Sequence, residues 1–366
     1  MQQEQTKQVS QSESRQECRA VTKAGDRYGL HRVLEPEGVM PQAAWKLDNR
    51  MECWDNEILI DVEVLNIDSA SFTQIKEEAG QDESRVRDIM MRIVGNRGKH
   101  HNPVTGSGGM LVGRVREIGE KLRHRDDVKV GMRIATLVSL SLTPLKIDEI
   151  IHVDMKNAQA EVRAQAILFE SGIFAPMPDD LPDKVALAIF DVCGAPAQTA
   201  RLVKPGNSVV LLGGGGKSGM TVLRQARLSS GDGKVVAVEY GEAACRRLRD
   251  LGWADEVLNL DATRPVEVLP AVQAALGGEL ADVVINCVNV PNTEMASILC
   301  ARDRGTVYFF SMATSFTAAA LGAEGVGKDV ELVIGNGYCH GHAQHALNLV
   351  RQSPELLQVY RDKFAL

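Results

Sequence analysis

The stretch VVLLGGGGKSGM, Val209–Met220, constrains this chain more than any other. An apolar run leads into four consecutive glycines, and a segment with helical spacing, MTVLRQARL, follows. Two phosphate-binding loops have related patterns. A triphosphate loop, G-x-x-x-x-G-K-[S/T], would place its opening glycine at position 211, which is Leu211. That glycine lets the chain leave the strand around phosphates, and leucine does not replace it. The dinucleotide pattern G-x-G-x-x-G is met in full by Gly214, Gly216 and Gly219, between a strand and a helix as the pattern requires.

From about Phe190 onward, apolar runs (VVLLGG, KVVAVEY, ADVVINCV, GTVYFFSM, DVELVIGNG) alternate with helical segments. Such alternation predicts an α/β, doubly wound parallel sheet of the Rossmann type, whose strands are apolar throughout because helices cover both faces. Two helices are expected to close the chain, an amphipathic one from His342 and a shorter one after it. The first half differs. ILIDVEVLN, Ile58–Asn66, alternates like a half-buried strand, and MLVGRVREIGEKL and DVKVGMRIATLVSLSLTPLKI read as strands around glycine turns. Between them, SFTQIKEEAGQDESRVRDIMMRIV reads as helix, and Gly95–Gly109, GNRGKHHNPVTGSGG, as a basic loop.

The bulk properties narrow the function. With 366 residues there is room for two domains with cores of their own. A formal net charge of -7 with no basic block argues against a nucleic-acid partner, and aromatic content of 4% leaves few stacking platforms. No run reaches about 18 apolar residues, so no membrane span is expected. Seven scattered cysteines without a C-x-x-C pair fit reduced thiols in a cytoplasmic protein. The Gln/Ser-rich start lacks the apolar core of a signal peptide, and residues 1–20 are expected to be a mobile tail.

Three motifs in order resemble the medium-chain dehydrogenase/reductase superfamily. GGMLVGRVREIG, Gly108–Gly119, is similar to its G-H-E-x-x-G-x-V-x-x-[VI]-G. VKVGMRIA is similar to V-x-x-G-D-R-V, and LVKPGNSVVLLGGGGKSG to L-x-P-G-x-x-V-[LV]-V-x-G-x-G-x-x-G. The resemblance implies a GroES-like catalytic domain over 21–190 and 336–366, and a Rossmann domain over 191–335. It also implies where zinc ligands belong, and this chain lacks most of them. Gly109 and Met110 stand at the His-Glu pair, Asp68 at a Cys position, and only Cys193 matches. One thiol does not make a zinc site, so a zinc-independent member is expected. The combination NIDSASF, NPVTGSGGMLVG, GGGGKSG and NGYCHGHA further resembles the diamino-acid dehydrogenases of lysine fermentation within that superfamily. These use NAD to deaminate a small zwitterionic diamino acid oxidatively at its 3-amino group. A homodimer is expected on the same ground.

Candidate residues follow. Gly214, Gly216 and Gly219 are expected to face the pyrophosphate, and Lys217 and Ser218 lie within reach of phosphate, although a loop lysine is as often solvated. Glu239 ends the second strand about 20 residues beyond Gly219, where an acid bonds the ribose hydroxyls and repels a 2′-phosphate; NAD is therefore expected, with NADP only weakly accepted. Tyr240 follows it, and Arg246 and Arg247 decorate the next helix. Cys287, Val288, Asn289, Ser311 and Met312, after the fourth and fifth strands, belong to the nicotinamide side, although Cys and Met are also ordinary core residues. For the chemistry, Asp68, Ser69, His101, Thr105, Asp191 and Cys193 are candidates. An acid near the substrate holds an ammonium or takes its proton. Lys99, His100 and His101 share the basic loop, where a solvated histidine is the ordinary reading. Tyr338, His340 and His342 follow the last sheet strand; His342 fits the start of the tail helix, and the two histidines have no third ligand nearby for a metal. Two other classes stay open: a zinc-free NAD(P)H-dependent quinone or enoyl reductase, and a non-enzymatic NAD-binding protein.

Overall fold

The computed structural model describes residues 23–335 and 337–364, which fall into two compact units meeting at Ile173/Phe174. The expected mobile tail, residues 1–20, lies outside the described residues.

The first unit opens with a small ribbon, β1 (Val33–Glu35) against β2 (Lys46–Leu47). Its main sheet is antiparallel, with strands β3 (Glu57–Ile67), β4 (Gly109–Ile118), β5 (Arg133–Thr136), β6 (Leu145–Asp154) and β7 (Gln159–Phe169) in the order β6-β7-β3-β4-β5. The alternation read from 58–66 is the pleat of β3, with Ile58, Ile60, Val62 and Leu65 buried. Between β3 and β4 the single helical stretch is two helices, α1 (Ser69–Glu78) and α2 (Glu83–Arg97). Gly80 and Gln81 take positive φ and Asp82 caps α2 by accepting from the Arg85 N–H, so the chain cannot continue as one helix. α2 also takes in the first three residues of the expected loop, Gly95 to Arg97, and Gly98 ends it in the left-handed conformation.

The second unit begins with a short strand, β8 (Phe174–Pro176), then α3 (Asp183–Phe190) and α4 (Gly194–Leu202). Its parallel sheet is formed by β9 (Val209–Leu212), β10 (Val235–Glu239), β11 (Glu256–Asn259), β12 (Ala281–Asn286), β13 (Ala301–Phe309) and β14 (Glu331–Ile334), in the order β11-β10-β9-β12-β13-β14. All five pairings are parallel. Helices α5 (Lys217–Ser230), α6 (Glu242–Leu251), α7 (Pro265–Ala275), α8 (Glu294–Cys300) and α9 (Phe316–Gly325) are the crossovers. Val209 to Leu212 are fully buried, each side chain contributing about 1.5–3 kcal/mol of transfer free energy. This is the expected doubly wound fold, and its order reverses between β9 and β12.

The unit boundary differs from the expected domains. Residues 174–190 and the tail helices α10 (His342–Arg351) and α11 (Pro354–Phe364) group with the dinucleotide unit. The reason is packing: α10 lies on α3, α4 and α5, and α11 on α3 and α10. The two tail helices are also of nearly equal length, not long and short. Among the described residues, no helix is long and apolar enough to cross a membrane.

Candidate functional site

The chain leaves β9 through Gly213, whose φ of 83° only glycine adopts without strain. A Cβ there would also lie 2.9 Å from the Val288 nitrogen, so the loops after β9 and β12 touch. Sequence reading missed Gly213 because it began the glycine pattern one residue later. Gly219, in the first turn of α5, is required by packing: a Cβ would sit 2.0 Å from the Gly213 carbonyl oxygen. Gly216 caps α5 with open space before it, leaving the helix N-terminus free to face a phosphate. Gly214 packs against Leu248. Glu239, at the end of β10, accepts hydrogen bonds from the N–H groups of Gly215 (2.5 Å) and Tyr240 (2.9 Å). Tyr240 itself is exposed, as is Arg246.

The tail helix α11 reaches this loop. The Tyr360 hydroxyl donates to the Lys217 carbonyl (2.8 Å), and Lys363 approaches the Gly215 carbonyl (3.5 Å). The Lys217 ammonium is paired with Asp191. Asp191, expected among the catalytic acids, is thus engaged with the dinucleotide loop. Cys193 is buried, and burial pushes its thiol up to about 12, so it stays protonated at neutral pH.

Across the switch point, Asn286 organises the loop after β12. Its amide donates to Thr293 and Ser297 (2.8 Å each), and its side-chain oxygen accepts from the Val288 N–H (2.9 Å). Glu294, 3% exposed, accepts from the Ser315 N–H at 2.6 Å and ties this loop to the one after β13. Neither residue stood out in the sequence: the Asn286 bonds depend on how its own loop folds back on the strand end, and the Glu294 partner lies on another loop. Cys287 and Val288 are half-buried, Asn289 and Met312 exposed, and Ser311 accepts from the Ala313 N–H. Burial pushes the Cys287 thiol up to about 12. Beside these strand ends a cavity of about 260 Å³ is lined by Gly194, Gln198, Tyr308, Gly335 and Tyr338. His342 begins α10 as expected and packs edge-on against Tyr338, while His340 is exposed.

In the first unit, Asp68 is exposed and caps α1, accepting from the Ala70 N–H at 3.1 Å. The register sets Ile67 opposite Gly109 and Asn66 opposite Met110, so Asp68 stands beside those positions. The hydroxyl gathered here is Ser71, not Ser69. Ser69 is the exposed first residue of α1, whereas Ser71 is fully buried and bonds both Thr105 (2.7 Å) and Ser107 (2.6 Å). Two steps along the helix decide this, because residue 71 turns inward and residue 69 outward. Asn102, buried, donates to Gln74 and to the Ser71 carbonyl. The basic loop is not solvated: Lys99 and His100 are fully buried, and His101 is half-buried. Burial pushes both histidines down to about 4 and Lys99 down to about 7, with Arg97 opposing the Lys99 charge as well.

A protein from Acetoanaerobium sticklandii named L-erythro-3,5-diaminohexanoate dehydrogenase is 55% identical to this chain over 343 residues, covering 93% of this chain and 99% of that one. One of the same name from Fusobacterium nucleatum subsp. nucleatum is 53% identical over 341 residues, with the same coverage. The chain belongs to the L-erythro-3,5-diaminohexanoate dehydrogenase family. The model of that family's N-terminal domain matches residues 31–178, and a model described as zinc-binding dehydrogenase matches residues 219–325. In fold, the chain is similar to a solved enoyl reductase, CurK, at 16% identity and a TM-score of 0.52, covering 90% of this chain and 85% of that one.

Among its described residues, this member of the L-erythro-3,5-diaminohexanoate dehydrogenase family has no donor set that fits zinc. Gly109 has φ 116°, and a Cβ there would meet the Asn66 carbonyl oxygen at 2.1 Å, so no ligating side chain is accommodated at that place. Among the described residues, no group of three or more His, Cys, Asp or Glu is arranged to hold a metal ion.

Proposed function

We propose that the chain catalyses NAD-dependent oxidative deamination of L-erythro-3,5-diaminohexanoate to 5-amino-3-oxohexanoate and ammonia, without zinc. The carrying observation is identity above half, over nearly the whole length, to proteins named for this dehydrogenase. When bound, NAD supplies the hydride acceptor. The glycine turn Gly213–Gly219 holds its pyrophosphate, Glu239 its adenosine ribose, and the loops tied by Asn286 and Glu294 form the floor on the nicotinamide side.

In the balanced reaction the C3 ammonium first loses a proton. The C3–H bond then breaks with its electron pair leaving as hydride, water adds to the resulting iminium, and ammonia departs. Asp68 is the group assigned to the proton, being an exposed carboxylate fixed at the N-terminus of α1, the helix that carries Ser71 of the hydroxyl cluster. The protein works as a cytoplasmic homodimer in this reading. NADH formation from the 3,5-diamino acid, against NADPH loss with a quinone, tests it. Reduction of the quinone without deamination would replace it with the reductase reading, and neither activity would favour a non-enzymatic NAD-binding protein.

A further inference from the structure

Arg97 ends α2 and is 6% exposed. Its guanidinium lies 4.1 Å from the centre of the Trp45 ring, Nε donates to the Trp45 carbonyl (3.1 Å), and Nη1 donates to the His101 carbonyl (2.7 Å). Lys99, two residues on, donates only to the carbonyls of Pro41 (2.7 Å) and Gln42 (3.2 Å). Among the described residues no carboxylate pairs with either cation. A buried guanidinium whose hydrogen-bond acceptors are backbone carbonyls and whose face rests on an aromatic ring has no counter-charge, and an anion is its natural complement.

Space for one exists. A cavity of about 110 Å³ lies between α1 and α2, with Arg97 and Trp45 lining it alongside Gln74, Asn96, Arg92 and Glu78. Glu78 is already paired with Arg92 and bonded by Gln74, so the unbalanced charge in the cavity is that of Arg97. Gln74 also accepts from Asn102, which connects the cavity to the backbone of Ser71 and hence to the hydroxyl cluster. We propose that Arg97 is the seat of the substrate's carboxylate, received by the guanidinium Nη2, to which no acceptor among the described residues is bonded. The small volume and the Glu78 carboxylate at its edge select a monoanion over a phosphate. A guanidinium fixed by two backbone carbonyls and an aromatic ring is preorganised for a carboxylate. This assignment rests on the diamino-acid reading above.

The test compares Arg97→Met and Arg97→Lys with the unaltered enzyme, using L-erythro-3,5-diaminohexanoate and 2,4-diaminopentane, which keeps the amine spacing and lacks the carboxylate. For Arg97→Met we expect KM for the diamino acid to rise about a hundredfold, the scale of losing one partner of a buried charged pair. Calorimetric binding of the diamine and of NADH should stay within a factor of three. Arg97→Lys should raise KM about tenfold, because the charge remains but the fork is lost, and it decides the matter if the Met variant does not fold. Equal weakening toward both amines, or an unchanged KM, overturns the assignment. If the unaltered enzyme forms no NADH from the diamino acid, the reaction reading fails separately. Titration with 3-aminobutanoate then decides the seat: binding abolished by Arg97→Met upholds it, and binding insensitive to the substitution overturns it.

Discussion

The carboxylate of Glu239 lies 2.5 Å from the backbone nitrogen of Gly215, so the acid at the end of β10 is bound to the turn that follows β9. This bond holds the carboxylate proposed to read the ribose against the turn proposed to hold the phosphates. A cofactor carrying a 2′-phosphate would bring its charge toward an anion fixed in place. Glu239→Ser should raise the NADP/NAD ratio of kcat/KM by about tenfold, equivalent to roughly 1.4 kcal/mol. Steady-state rates with both cofactors measure it, and an unchanged ratio means Glu239 does not read the ribose.

Gly219→Ala should damage cofactor binding through the backbone. The added Cβ would meet the Gly213 oxygen at 2.0 Å, and relief requires the turn itself to shift. We expect a stability loss of about 1–3 kcal/mol, the usual scale of overpacking, and at least about tenfold weaker NADH binding. Melting curves with and without NADH report both; full retention of affinity would show that the turn tolerates displacement.

Asp68→Asn separates chemistry from capping. Asparagine caps a helix as well as aspartate does, so melting should barely move. Turnover should fall about a hundredfold or more, the usual contribution of an acid–base group. NADH affinity, read by fluorescence titration, should be unchanged. Normal turnover in this variant would remove Asp68 from the proton path.

The buried basic loop predicts a pH dependence of stability. Lys99 titrates at about 7 in the folded chain and at about 10.4 when unfolded. Within that window the unfolded chain binds the proton the folded chain has lost, so stability rises with pH, by up to about 1.4 kcal/mol per unit. His100 and His101, at about 4 when folded against about 6.5 unfolded, make stability fall as pH drops through that lower window. Lys99→Met should remove the alkaline part of the rise, as measured by urea unfolding from pH 7 to 10. Retention of the same slope would mean that Lys99 is not the group responsible.

Exhaustive chelation should leave deaminase activity intact, because Gly109 and Met110 offer no ligand where the zinc enzymes have two. Stoichiometric zinc in the active protein, by elemental analysis, would contradict this.

The parallel sheet and its glycine turn were legible in the sequence for a local reason. A strand covered on both faces is apolar throughout, and a turn at a helix N-terminus needs glycine within a few residues; both signals are contiguous in the chain. Gly109 and Met110 were legible in the same way, through the register of one motif. Within that motif, only the structure showed that Gly109 lacks room for any side chain, since the obstacle is the Asn66 carbonyl on a neighbouring strand. The polar site in the first unit depended on tertiary structure throughout. Ser71 in place of Ser69 was decided by which face of α1 packs inward, and the burial of Lys99 and His100 by the segment around Pro41 folding over a loop whose composition reads as solvated. Asp191, at the end of α3, came to the dinucleotide turn because α3 and α5 share α10 as a neighbour, with α11 set on the same turn. Sequence determined the elements and the turn chemistry, which are set within a few residues. Tertiary structure decided which charges are buried and what each one faces, because those depend on residues tens of positions apart.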